Sequence, residues 1–138
     1  MLSDIAARLR AHGVQPSAQR VAVAEFVLET DEHPSADEVF RGVRARFPMV
    51  SRATVYNTLN LLVEKRLLRE VVLSPGNVRF DPMMEQHHHF IDDRTGRIFD
   101  VPWSAVEVKH VGRLEGFEVK QYEVVMRGRA AGKKLQRK

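Results

Sequence analysis

The apolar positions of the first half of the chain recur at helical spacing. Leu2, Ile5 and Leu9 form one set, Ala36, Phe40, Val43 and Phe47 another, and Val55, Leu59, Leu62 and Val63 a third. The segment from Ser17 to Thr30, between the first two sets, is apolar on most sides and predicts a buried central helix. The starts of these helices are punctuated. Ser17 follows Pro16, Ser35 and Glu38 form a capping box after Pro34, and Ser51 caps the fourth helix after the short connector FPMVS.

After Lys65 the period changes to two. LLREVVL and VRFD flank the turn SPGN and predict two strands in a hairpin. Helices ending in a helix–turn–helix pair and followed by a hairpin have the order of a winged helix, which we assign to residues 1–81. From Glu85 the pattern is mixed. HHHFI and RIFDV flank the turn DDRTG and predict a second hairpin, Ser104 with Glu107 offers another capping box and a short helix, and FEVKQYEVVM predicts a last strand. The tail RGRAAGKKLQRK has no apolar periodicity. The expected class is α+β: an N-terminal winged helix-turn-helix domain, a small α/β domain over 82–128, and a disordered basic tail over 129–138.

Composition narrows the chemistry. Of the 138 residues 43% are hydrophobic and 29% charged, ordinary values for a folded water-soluble chain. No apolar stretch nears the roughly 20 residues of a membrane span. The opening MLSDIAARLRAHG lacks the apolar core of a secretory signal, so a cytoplasmic location is expected, with no membrane partner. The chain has no cysteine, which excludes disulfides, thiolate zinc sites and thiol catalysis. A net charge of +4 favours an anionic partner such as nucleic acid.

Two constellations carry function. The fourth helix begins SRATVYNTLNLL, with Val55, Leu59 and Leu62 on one face and Arg52, Thr54, Tyr56 and Asn57 on the rest, clustered beside Ser51 in the first two turns. A recognition helix carries its contacts there, because its N-terminal end enters the major groove. Arg can bond guanine, Asn adenine, and Tyr and Thr the phosphates or the thymine methyl. Gln19, Arg20, Arg41, Arg44 and Arg46 add polar and basic density upstream.

The second constellation is the run His87, His88, His89. In a strand, His87 and His89 share one face and His88 points the other way with Phe90. A turn centred on Arg94–Thr95 sets Asp92 opposite Arg97, Ile91 opposite Ile98 and His89 opposite Asp100, and opposed residues share a face with Cβ atoms about 5 Å apart. His87, His89 and Asp100 therefore converge. Two imidazoles and a carboxylate suit zinc, iron(II) or manganese(II), and disfavour calcium. Asp81, at the end of the wing, and His33, just before the third helix, are candidates to complete the set. Spacing alone does not say whether they join.

With these features assembled, the chain resembles the ferric uptake regulator (Fur) family of metal-dependent repressors over nearly its whole length. SAQRVAV, HPSADEVF, SRATVYNTLNLL, RFD and HHHF each echo a family motif in order, and ATVYNTL is the most specific. The resemblance implies a C-terminal dimerisation domain and a homodimer bound to double-stranded DNA at an inverted-repeat operator. It also implies one regulatory divalent metal, Fe2+ or Mn2+ with Zn2+ compatible, held by His33, Asp81, His87, His89 and Asp100. The chain departs from the family's pattern where most members carry two CxxC pairs for a structural zinc; the first of these is DDRT here, so no structural zinc held by cysteines is expected. A further family site would need His88 and Glu107 with two more ligands, where Gln86 and Tyr122 stand. Aspartate at both acidic positions, Asp81 and Asp100, is most similar to the peroxide-responsive, PerR-type branch. An iron- or haem-responsive regulator is the alternative. Two other classes stay open at this point, a metalloenzyme with an open His/Asp iron site and a DNA-binding protein without a sensor.

Overall fold

The computed structural model describes residues 2–131, so most of the expected basic tail lies outside the described residues. Four helices open the chain: α1 (Leu2–Ala11), α2 (Ala18–Leu28), α3 (Ala36–Arg46) and α4 (Arg52–Glu64). Their starts are where serine can satisfy the backbone N–H groups that a helix leaves orphaned. The Ser17 hydroxyl accepts from Arg20 N–H at 3.2 Å and that of Ser51 from Thr54 N–H at 3.0 Å. Ser35 and Glu38 make the reciprocal pair of a capping box, at 3.2 and 3.0 Å.

The core of the first unit lies around α2, which packs on α1, α3 and α4. Leu9, Val23, Ala24, Val27, Val39, Val55, Leu59 and Leu62 are fully buried there. Each buried Leu or Val contributes about 1.5–3 kcal/mol of transfer free energy. The α2–α3 approach depends on glycine: a Cβ on Gly42 would collide with the ring of Phe26. A hairpin follows, β1 (Arg69–Ser74) paired antiparallel with β2 (Asn77–Asp81), its turn passing through Gly76 at φ +79°. Phe80 N–H bonds Pro34 C=O at 2.9 Å, which ties β2 to the segment just before α3.

The chain divides into two compact units between Met84 and Glu85. The second unit holds a three-stranded sheet of β3 (His87–Asp92), β4 (Ile98–Pro102) and β5 (Val125–Gly128), in the order β4-β3-β5. The β3–β4 register sets Ile91 opposite Ile98 and His89 opposite Asp100, as alternation predicted. The turn is held by Asp92, whose N–H bonds Arg97 C=O at 2.9 Å, whose C=O accepts from Gly96 at 2.7 Å, and whose Oδ1 accepts from Arg94 N–H at 2.8 Å.

Two expectations need correction. Ser104 and Glu107 do not cap an α-helix: Trp103–Ala105 is a single 3-10 turn with no side-chain cap, and Val106 is extended at φ −132°, ψ 131°. The indole of Trp103 stacks on His88 with centroids 4.6 Å apart and meets Tyr122 at 4.9 Å, which fixes the chain's path here. The β-branched Val106 and Val108 also favour extended backbone over helix. The last strand is shorter than FEVKQYEVVM suggested. Ladder pairing covers Val125–Gly128 only, opposite His89 to Asp92 of β3, and β5 runs parallel to it. Just before it, Val124 N–H is taken by the His88 side chain rather than by a backbone carbonyl.

Candidate functional site

The histidine run sits on the central strand of the second unit and all three imidazoles are buried. His87 and His89 share a face, their rings meeting edge-on at 4.6 Å. His87 Nδ1 lies 2.6 Å from Glu85 C=O and His89 Nδ1 2.5 Å from a carboxylate oxygen of Glu123. A carbonyl and a carboxylate can only accept, so in the neutral imidazoles Nδ1 carries the proton and Nε2 presents its lone pair. Both Nε2 atoms face one oxygen, Asp100 Oδ1, at 3.3 and 3.5 Å. Lone pairs aimed at a carboxylate repel unless a cation or proton lies among them. Nitrogen and oxygen donors arranged in this way fit a borderline divalent metal, and the Nδ1 partners orient the rings as outer-shell groups do around bound metals.

A second His/Asp pair lies in the first unit. His33 Nε2 and Asp81 Oδ2 are 3.2 Å apart, with both side chains buried. Asp81 Oδ1 accepts from Met83 N–H at 2.9 Å, so one carboxylate oxygen is anchored and the other turned to the imidazole. His33 has φ 52°. A left-handed non-glycine residue costs of order 1–3 kcal/mol and tends to persist where function requires it.

His88 faces the other way. Its Nδ1 accepts from Val124 N–H at 3.0 Å, its ring stacks on Trp103 at an interplanar angle of 12°, and its Nε2 has no hydrogen-bond partner among the described residues. Gln86 and Glu107 are exposed and Tyr122 half-buried.

The N-terminal end of α4 carries the expected polar residues. Arg52, Tyr56 and Asn57 are exposed and Thr54 half-buried, while Val55, Leu59 and Leu62 face the core. The hydroxyl of Ser51 is committed to the cap and donates to Thr54 Oγ1 at 2.8 Å. At the start of α2, Gln19 is exposed and the Arg20 guanidinium bonds Gln15 C=O at 2.9 Å.

Two residues that sequence reasoning missed support these sets. Glu123 fell in a segment read as regular strand, and its contact with His89 depends on a chain path that no periodicity encodes. Asp37 stands in a helix's first turn, an ordinary place for an acid, but its carboxylate pairs with the Arg52 guanidinium, and Tyr56 Oη lies 3.5 Å from the same oxygen. The hydrogen bond from Arg52 holds the Asp37 carboxyl below its ordinary value of 3.8.

A winged helix with a polar recognition-helix tip, joined to a unit with converging imidazoles and carboxylate, defines a metal-dependent regulator of transcription. The model of the ferric uptake regulator family matches residues 11–127, and the chain belongs to that family. It is 30% identical over 129 residues to the peroxide operon regulator of Bacillus subtilis (strain 168), covering 92% of this chain and 89% of that protein. It is 29% identical over 129 residues to the peroxide-responsive repressor PerR of Staphylococcus epidermidis, covering 92% and 86%. Among solved structures, the Campylobacter jejuni peroxide stress regulator matches with a TM-score of 0.67 at 25% identity, covering 96% of this chain and 98% of that one. A zinc-bound manganese uptake regulator matches with a TM-score of 0.72 at 23% identity, over 94% and 98% of the two chains, a likeness of fold.

Proposed function

We propose that this regulator is a peroxide-responsive repressor. It acts as a homodimer on an inverted-repeat operator in the cytoplasm, and catalyses no reaction on a substrate. One divalent cation, Fe2+ or Mn2+ with Zn2+ also accepted, is held jointly by His33 and Asp81 of the first unit and His87, His89 and Asp100 of the second. The observation that carries the reading is the aim of two imidazole lone pairs at one carboxylate oxygen, with both Nδ1 atoms anchored behind them. Two relatives named for peroxide response support the choice of signal. Gln19, Arg20, Ser51, Arg52, Thr54, Tyr56 and Asn57 form the DNA-facing set. Ser51 acts through its cap and Arg20 through its anchored guanidinium.

Joint ligation makes the cation a switch. A ligand that binds one arrangement of two units better than the others shifts the population toward it. With no thiol in the chain, the oxidation ladder of cysteine is closed as a sensing route. Iron(II), when bound, supplies the one-electron reduction of peroxide that a redox-silent cation does not. The imidazole carbons of the ligands would then be the oxidisable groups at hand, those of His33 and His87 being the expected targets. In net balance, peroxide would give one oxygen to a ring carbon and leave as water, a two-electron oxidation. It would weaken the ring nitrogen as a donor, so that the two units would lose their common anchor and release DNA.

The test is to treat iron-loaded and manganese-loaded protein with peroxide and to map added oxygen by peptide mass spectrometry. One added oxygen at His33 or His87 in the iron form alone, with parallel loss of DNA binding, is expected. An iron form without histidine oxidation, or release driven by haem, would move the protein to an iron- or haem-responsive role.

A further inference from the structure

Arg52 and Tyr56 belong to the exposed start of α4, yet both lie against a carboxylate from another helix. Asp37, in the first turn of α3, pairs through Oδ1 with Arg52 Nη1, and Tyr56 Oη lies 3.5 Å from the same oxygen. Arg41 Nη1 lies 3.7 Å from Oδ2. The Arg52 guanidinium also lies over the Phe40 ring, 4.5 Å from its centroid. The ring restricts the plane of the guanidinium, and the carboxylate restricts its rotation within that plane. Tyr56 stands one helical turn beyond Arg52, so the two side chains share a face.

We propose that Asp37 is a positioning residue for sequence reading: it pre-sets Arg52 and Tyr56 in the conformation that meets base edges. The proposal rests on the assignment of α4 as the DNA-reading helix. Stability does not explain the pair, because its side chains are 56% and 47% exposed and such surface ion pairs contribute little to folding. Affinity does not explain it either. A carboxylate on a surface that meets a polyanion disfavours every sequence alike, since phosphate contacts dominate non-specific binding. Discrimination does explain it. Arginine has five N–H donors in a rigid fork, and a carboxylate that engages Nη1 leaves donors for a base. An arginine already held loses less freedom when it binds the correct base. Asp37 thus opposes all DNA weakly, and its benefit appears only where a base meets the held fork.

The experiment starts by enriching duplexes from a random-sequence library with manganese-loaded wild-type protein. Dissociation constants for an enriched and a scrambled duplex are then measured across a salt series, with thermal unfolding as a check on the fold. In Asp37→Ala the scrambled duplex should bind more tightly, with a salt slope steeper by about one as Arg52 turns to phosphate. The ratio of enriched to scrambled affinity should fall about tenfold, within the discrimination carried by one good base contact. Asp37→Asn, which keeps the side chain's shape and weakens the guanidinium pair, should lower the ratio in the same direction. Adding Asp37→Ala to Arg52→Ala should lower the ratio by much less than it does in the wild type, because only the longer approach to Tyr56 Oη is left to lose. An unchanged ratio in Asp37→Ala overturns the role of Asp37 alone, as does an equal fall in the Arg52→Ala background. If the wild type enriches no duplex, DNA reading by α4 fails and this role fails with it.

Discussion

Asp100→Ala should lower metal affinity by more than the roughly 10–100-fold that loss of an outer-shell partner costs at a metal site. It should also abolish any stimulation of DNA binding by metal. Asp100 Oδ1 is the point on which His87 and His89 converge, so its removal leaves two imidazole lone pairs aimed at nothing charged. His88→Ala is the matched control, since His88 stands between His87 and His89 in the same buried run. Its Nδ1 is engaged by Val124 N–H and its ring by Trp103, on the opposite face of β3. The variant should lose stability through the vacated stack while binding metal as the wild type does. Calorimetric titration of both variants with manganese separates the two roles. Equal loss of metal affinity in His88→Ala would mean that the site draws on both faces of the sheet.

Arg52→Ala and Tyr56→Ala should each weaken binding to an enriched duplex by about tenfold to a hundredfold, the range for loss of a base-reading contact. Both side chains project from the exposed side of α4, and its opposite side supplies Val55, Leu59 and Leu62 to the core, so the fold should survive. A loss confined to the enriched duplex would identify base reading. A loss shared by scrambled DNA, with a shallower salt dependence, would identify phosphate contact. Unchanged affinity in both variants would remove α4 from the interface. The measurement is fluorescence anisotropy at two or more salt concentrations.

The parts of this structure that sequence revealed are those governed by short-range rules. Serine caps at Ser17, Ser35 and Ser51 mark helix starts because the hydroxyl reaches only a few residues along its own chain. The β3–β4 register followed from alternation and a turn of fixed length, and it gave the meeting of His89 with Asp100. His33 and Asp81 were named as ligand candidates by position, but their mutual approach depends on the bond between Phe80 and Pro34, which joins segments far apart in sequence. The stretch after Pro102 was misread because a capping pattern is a local signal, and the stack of Trp103 on His88 overrides it from another strand. Glu123 and Asp37 were missed for the same physical reason. Each acts on a side chain from a different element, and a single acidic residue in a sequence gives no sign of which one.

A divalent cation on the His/Asp ligands should govern DNA binding. The direct measurement is the affinity of the metal-free protein for an enriched inverted-repeat duplex, with and without saturating manganese, alongside the same pair of titrations for Asp100→Ala. Coupling between two ligand sites typically spans about 5–150-fold in affinity. Manganese should tighten wild-type binding within or above that range and leave Asp100→Ala unchanged. Equal wild-type affinity with and without manganese would mean that metal does not govern DNA binding in this protein.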